Sequence, residues 1–462
     1  MDANDGDDDN LGLYPANAMK TLAAAMTNVN LKSGDTVWAL PGSYGAGQVI
    51  SSERYSSVNR KIANRALVKS GVTLRSKGGA GVTFIEGANA TETDDANKGC
   101  GVDSVRCVRL ESGACVRGFT VRGGRAPRGP TDETATTFWN AQAGGVYSAD
   151  SNVFIADCVL SNNVAHNTGN VGNGGTYVRC RVVDNDQLVG SSAVSMGVFY
   201  DCYINRNYGS GNYQLRNPIK CVNVTFGNKG SGLYLCYQGY ECEFYNSLFL
   251  DGANSSDRYS YHRCASAKAL PTAFKVMDDD CFALSADELA VIGDGLTGVA
   301  GTRLVDAGSN TYHTADFDFP LDGDLNGVPR VLNGRIDISA AEYDWRTDYA
   351  CDIRGKVVVA EATSNVVETA AKNVRLGDGD AVTLVWRDAT ESLSPRAFRF
   401  AVENGTLTVR LNGASVEELS ADGEWVYENG VATDRIEFSF AGKGHADVLK
   451  SSSLQGLIML VR

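Results

Sequence analysis

Apolar and polar positions recur along this chain at a fixed interval. Ile155, Tyr177 and Phe199 stand three places before Cys158, Cys180 and Cys202, and Leu160, Val182 and Ile204 stand two places after, so every column repeats at 22 residues. Asn163, Asn185 and Asn207 close each copy five places after its Cys. A fixed period with apolar columns means stacked copies of one supersecondary unit, each burying its neighbour's core face. The three segments alternate apolar and polar over short stretches rich in Val, Ile, Tyr and Phe, the period of a strand, with no room for a helix between them. Leucine-rich repeats and propeller blades have other patterns and lengths. What remains is a parallel coil that turns once in about 22 residues, with equivalent positions about 4.8 Å apart.

Weaker copies extend the coil in both directions. Upstream, Phe119 and Val121 fall in core columns, and residues 71–79 read as an earlier turn. Downstream, Phe244, Ser247 and Phe249 do the same, with Asn223 assigned to the Cys column and Asn228 to the Asn column. Over residues 17–30, Met19, Leu22, Met26 and Val29 share a helical face, which predicts an amphipathic helix covering the open end of the coil. From about residue 346 the Cys and Asn columns stop. Strands are predicted near 356–361, 381–386, 396–402, 406–411, 436–440 and 457–461, separated by Gly- and Asn-containing turns, the spacing of an antiparallel β-sandwich. The expected domains are therefore 1–345 and 346–462, consistent with a 462-residue chain.

The run 144–167, with Gly144-Gly145, an aliphatic strand, a turn, and a second strand through Cys158 to Asn163, resembles the right-handed parallel β-helix repeat of pectate-lyase-like proteins. The opening, with a helix, Gly34-Asp35, a strand and Pro41-Gly42-Ser43-Tyr44, is similar to the family's usual start. Residues 304–308 and 323–344 resemble the terminal motif of the secreted "choice-of-anchor Q" group, with one residue inserted at Ile338-Ser339-Ala340-Ala341-Glu342-Tyr343. The resemblance covers roughly residues 8–344. It implies an all-β, single-stranded, right-handed parallel β-helix with an N-terminal capping helix. It also implies a secreted or cell-surface bacterial protein, expected as a monomer, that binds a polysaccharide, an acidic one above all, or cleaves it by β-elimination. The rival reading is a non-catalytic surface or adhesion protein that uses the β-helix as a rigid rod. A hydrolase or an epimerase is less favoured, because the carboxylate sets of polygalacturonase-like enzymes are missing.

Charge and cysteine content sharpen this only in part. A net charge of −13 argues against nucleic acid. No apolar run is long enough to span a membrane, and Met1 before a polar, acidic stretch reads as a start replacing a removed leader. Of the twelve Cys, those at 158, 180 and 202 point inward with parallel side chains, which suits packed thiols; Cys236 with Cys242, or Cys100 with Cys107, are the pairs open to bridging. Arg106, Arg109, Arg117, Arg122, Arg125 and Arg128 lie near a single acid, Glu111, and form either a basic patch or pairs with neighbouring rungs. The alternating column Asp157, Arg179, Asp201 reads as structural pairing, and the Asn column as a turn ladder.

In the family a polysaccharide lies along the first parallel sheet. Here that sheet is expected near 145–148, 169–171, 190–192, 213–216 and 233–235, walled by the insertion 125–142. The substrate-binding candidates are Arg125, Arg128, Trp139, Tyr147, Tyr213 and Gln214. Elimination needs a cation to neutralise the uronate, a base for the C5 proton and an acid for the leaving oxygen. Arg216, His166 and Tyr234 are the catalytic candidates, with His262 and Tyr213 as further acid or base groups. Asp278, Asp279 and Asp280 form an acidic run placed beyond the recognisable coils. Calcium is the one cofactor the residues suggest, since Asp322, Asp324 and Asn326 have the spacing that opens a calcium loop, lacking its twelfth-position Glu.

Overall fold

The computed structural model describes the chain except at residues 56–57, 93–97, 128–141, 149, 166–171, 188–193, 208–212, 217–219, 228–233, 237–240, 254, 293–301, 314–322, 329, 332–334, 343–356, 364, 369–373, 387–395, 428–433, 449–451 and 454–462. Three parallel sheets wind around one core, as a parallel β-helix requires. Sheet I has eight described strands, from the hairpin Val49–Tyr55/Val58–Val68 through Val105–Leu110, Val146–Ser148, Gly172–Asn173, Val194–Ser195 and Tyr213–Arg216 to Tyr234–Cys236. Its hairpin is antiparallel and every other pairing is parallel. Sheets II and III each have ten, running from Thr36–Ala39 to Val276–Met277 and from Gly42–Tyr44 to Phe282–Ala283.

The 22-residue step is visible in the register. Phe154, Thr176 and Val198 pair in sequence in sheet II, and Val159, Arg181 and Tyr203 in sheet III. The middle residue of each sheet II strand points into the core: Val116, Ile155, Tyr177, Phe199, Cys221, Phe244 and Tyr261 are all buried in one cluster. Tyr177 and Phe199 stack at 4.9 Å, and Phe244 and Tyr261 at 5.2 Å. Gly172 is part of this fit, since a Cβ there would lie 2.0 Å from the Tyr177 hydroxyl.

Between sheets II and III each coil turns at one left-handed residue. Asp157, Arg179, Asp201, Asn223, Asn246 and Arg263 occupy that column, with φ between 47° and 55°. Asn223 thus follows Asp201, not Cys202; Val224 takes the Cys position because the 22-residue step carries Phe199 to Cys221 without a shift. The expected ion ladder is present. Asp157 accepts from Arg117 at 2.5 Å and from Arg179 at 2.6 Å. Cys158, Cys180 and Cys202 are buried free thiols whose Sγ atoms donate to backbone carbonyls. Burial raises the first two well above the ordinary thiol range. Cys100, Cys107 and Cys242 are free as well.

The Asn ladder runs through buried amides. Asn185 Oδ1 accepts from the Asn163 backbone at 2.9 Å, and Asn185 Nδ2 donates to Asn207 Oδ1 at 2.8 Å. The left-handed turn falls one residue earlier, at Asn162, Asp184 and Arg206, because the ladder Asn must face inward to reach the rungs on either side. Asn228 lies outside the described residues. The predicted N-terminal helix is shorter than expected, Leu22–Thr27, with Thr21 as its cap. Asp8 takes the backbone N–H groups of Lys20 and Thr21, which draws the preceding residues out of the helix. Leu22 and Met26 enter the core, while Val29 is 89% exposed.

The chain packs as two compact units, Met1–Gly298 with Ala307–Val328 and Asp337–Ala341, and Val299–Asp306 with Pro329–Ile336 and Glu342–Arg462. The second contains an antiparallel sheet whose core holds Phe398, Phe400, Leu407, Trp425, Phe438 and Phe440. Two predicted turns are strand interior instead: Arg396–Leu411 runs through Glu403-Asn404-Gly405, and Arg435–Val448 through Ala441 to Gly444. Gly405 pairs with Gly442 at a bulge, where any Cβ on Gly442 would lie 2.4 Å from the Gly405 backbone, so the two glycines bend a continuous ribbon.

Candidate functional site

Sheet I carries the face expected to bind substrate. One row passes through Arg109, Tyr147, Asn173, Ser195 and Arg216 in successive rungs. The adjacent row, Val108, Val146, Val194 and Leu215, is buried core. The strands at Val146–Ser148 and Tyr213–Arg216 stand where expected, but two others are Gly172–Asn173 and Val194–Ser195, and the last is Tyr234–Cys236. The turn from Ser148 to Phe154 is longer than that from Asn173 to Thr176, so counting from the first copy misplaces the later strands.

At the upper end of this row three charged groups surround one ring. Glu53, from the sheet I hairpin, bonds Arg106 at 2.5 Å and Arg109 at 2.9 Å; the Arg106 and Glu53 side chains are buried. Arg106 also donates to Asn64 Oδ1, Ala143 O and Gln142 O. The two guanidinium carbons lie 4.5 and 5.7 Å from the Tyr147 ring centroid. Tyr147 is 8% exposed, so its ring is buried against these cations. Two guanidiniums share the Glu53 carboxylate at this rung, and the Arg109 side chain is the one that is partly exposed, at 19%.

Arg106 holds the far end of the 125–142 insertion through Gln142 and Ala143, and Arg125 holds its near end. The Arg125 guanidinium donates to the carbonyls of Lys98, Gly124 and Asn162 at 3.0, 3.1 and 2.7 Å, and burial lowers its pKa. The remaining described arginines of the sequence cluster are also paired, Arg117 with Asp157 and Arg122 with Glu86, so these residues form ion pairs rather than an open basic patch. Arg128, Trp139 and His166 lie outside the described residues. Tyr213, Gln214 and Arg216 lie in one strand and Tyr234 in the next, with Tyr213 paired to Tyr234; their side chains are outside the described residues.

The calcium-like loop is held by its own bonds. Asp324 is buried, and its Oδ1 accepts from the N–H groups of Asn326 and Val328; Asn326 Oδ1 accepts from Arg181 at 2.9 Å. A guanidinium on Asn326 competes directly with a cation there. Asp322 lies outside the described residues, and among the described ones no group of three or more His, Cys, Asp and Glu is arranged to hold a metal.

Sequence reasoning named His262 without its partners. In sheet II, Tyr245 pairs with His262 and Tyr261 with Met277, so Asp278 follows His262 in the next rung rather than lying beyond the coils. His262 Nδ1 is 3.1 Å from Asp278 Oδ1, and its ring stacks on Tyr245 at 4.6 Å. Tyr245 donates to Glu243 at 3.0 Å. The signal was a change of period: Cys264 and Cys281 lie 17 residues apart in the Cys column, bonded from Cys264 N to Cys281 Sγ, so the last coils are shorter than 22 residues. Residues 307–313 form a strap along the left-handed column. Arg263 donates to Ala307 O, Asn246 exchanges two bonds with Ser309, and Asn223 Nδ2 lies 2.7 Å from His313 Nδ1. The strap sets Tyr312 at 4.7 Å from Tyr245.

The chain matches no family model and no curated protein. Among solved structures it is similar to ORF18 of Geobacillus virus E2, at 11% identity over 88% of this chain and 71% of that one with a TM-score of 0.22. It is also similar to the tailspike protein of Acinetobacter phage vB_ApiP_P1, at 8% identity over 90% and 76% with a TM-score of 0.15. At these scores neither likeness carries an argument. Among the described residues no helix is long and apolar enough to cross a membrane.

Proposed function

We propose that the β-helix binds an acidic polysaccharide along the Arg109–Arg216 row of sheet I. The observation that carries this reading is the Arg109 guanidinium, whose side chain is 19% exposed, at the head of a row whose residues are polar in five successive coils. Rung spacing is close to the length of one sugar residue, so successive coils meet successive sugars. A guanidinium edge suits a planar uronate carboxylate. Elimination is the finer reading, with Arg216 neutralising the uronate and His166 and Tyr234 as proton carriers. The resemblance of the terminal motif to the "choice-of-anchor Q" group supports secretion to the cell surface and the domain division near residue 345.

The test is calorimetric titration with uronate-bearing and neutral oligosaccharides, together with the ultraviolet absorbance of unsaturated uronate. Arg109→Ala is expected to weaken uronate binding about tenfold, or about 1.4 kcal/mol. Equal affinity for uronate-bearing and neutral chains would overturn the acidic reading. Binding without any absorbance rise would leave a non-catalytic rod.

A further inference from the structure

The cluster around His262 is unlike the sheet I rung in charge and in hydrogen-bonding character. Two of its cations are matched by carboxylates: Arg263 pairs with Asp280 at 2.6 Å and Lys275 with Glu241 at 2.8 Å. Lys220 Nζ lies 5.3 Å from the Tyr245 ring centroid. Glu243 and Asp278 remain as carboxylates on the surface, and His262 is oriented between Asp278 and Tyr245. In the tautomer that gives Nδ1–H to Asp278, Nε2 is the ring's acceptor. Burial, first among the causes, raises the pKa of both Tyr245 and Tyr312, so both remain neutral phenols.

The site is therefore rich in acceptors and bordered by aromatic rings, with Lys220 held against the Tyr245 ring. Such a surface matches a ligand that offers many hydroxyl donors and an apolar ring face. The strap is built to deliver this wall. Four bonds to three successive turn residues fix the segment from Ala307 to His313, and Tyr312 is the ring it places over Tyr245 and His262. His313 Nδ1 accepts from the Asn223 amide, which itself donates to buried Asp201, so the strap's anchor continues the turn ladder.

We propose that His262, Asp278, Glu243 and Tyr312 form a second carbohydrate site, on sheet II, that takes a neutral sugar residue. Its hydroxyl protons are accepted by His262 Nε2 and by the Asp278 and Glu243 carboxylates, and its ring face lies on Tyr312. No covalent step is involved. The site is independent of the acidic-polysaccharide reading and stands if that reading fails.

The experiment is nitrogen NMR of the histidines in the full chain during titration with a panel of neutral oligosaccharides built from glucose, galactose, mannose and their N-acetylated forms. At least one is expected to shift His262 Nε2. Glu243→Gln, on an exposed residue outside the strap, and Tyr312→Ala are each expected to weaken that sugar at least tenfold, while Arg109→Ala leaves it unchanged. If Tyr312→Ala unfolds the strap, as a changed His313 signal would show, Glu243→Gln alone decides. A silent His262 across the panel overturns the proposal, as does neutral-sugar binding that Arg109→Ala abolishes or that Glu243→Gln leaves intact.

Discussion

The Glu53–Arg106–Arg109 rung on sheet I and the His262–Asp278 rung on sheet II stand on the same core, yet they are held by different forces. The first is a buried charge network: two guanidiniums share a carboxylate whose side chain is 2% exposed, and a tyrosine ring fills the gap. The second has neutral hydrogen bonds at its base, made by turn-column amides to a strap, with its ionised groups left near solvent. A buried network fails abruptly when one member is removed, because the remaining charge cannot be solvated. A strap tied by several neutral bonds loses stability in steps. The difference also divides the proposed ligands, a partly exposed guanidinium suiting anions and an acceptor-rich surface suiting hydroxyls.

The largest expected effect breaks the first region. Glu53→Ala takes from buried Arg106 and from Arg109 the carboxylate they share and is expected to cost about 3–5 kcal/mol, read as a lower midpoint in urea with an unchanged slope. Glu53→Gln keeps the shape and part of the hydrogen bonding but not the charge, so it separates the two contributions. A cost under about 1 kcal/mol for either would mean that the charge is compensated elsewhere.

Next is the strap. Asn246→Ala removes the two bonds to Ser309 and one to Asn223 Oδ1, and it puts alanine at φ 47°. The expected cost is about 2–3 kcal/mol. Hydrogen exchange at 307–313 is expected to rise with little change in sheet I. Faster exchange spread evenly over both regions would erase the distinction between them.

Both regions rest on buried thiols, which gives a pH test. Cys107, in the Arg106 strand, is pushed up to about 12 by burial. Unfolding lets it ionise near its ordinary value of 9.0, so the unfolded chain gains a favourable reaction that the folded chain cannot use. The stability is complete below that value and is lost as pH rises from there toward 12. About one unit above the unfolded value the loss is about 1.4 kcal/mol per thiol. Cys107→Ala is expected to flatten that alkaline limb, and an unchanged limb would mean that other groups cause it.

How much of this was legible depended on sequence distance and on whether a column repeated. The 22-residue columns gave the coil, the sheets and the Asp157–Arg179 pairing, because each relation joins equivalent positions. Glu53 and Arg106 are 53 residues apart and belong to a hairpin that occurs once, so no period announces their bond. Asp278 was visible as an acidic run but was misplaced, since the last coils shorten to 17 residues and only Cys264 and Cys281 mark the change. The bent ribbon at Gly405 and Gly442 was read as two turns, because glycine marks a turn and a bulge in the same way when its partner strand is unknown.

The smallest expected effect tests whether ion pairs as such stabilise this coil. Arg206 and Asp184 form a bidentate pair at 2.7 and 2.8 Å, with geometry as good as that at Glu53, but their side chains are 53% and 48% exposed. Water already solvates both ions, so removing one leaves no buried charge, and Arg206→Ala is expected to cost about 0–1 kcal/mol. Arg206 also sits at φ 48°, where alanine is no more strained than arginine, so backbone terms nearly cancel. Urea midpoints of Arg206→Ala and Glu53→Ala measured side by side therefore compare similar contacts that differ in burial. If the two costs agree within about 1 kcal/mol, burial is not what separates them, and the contrast between the two regions loses its physical basis.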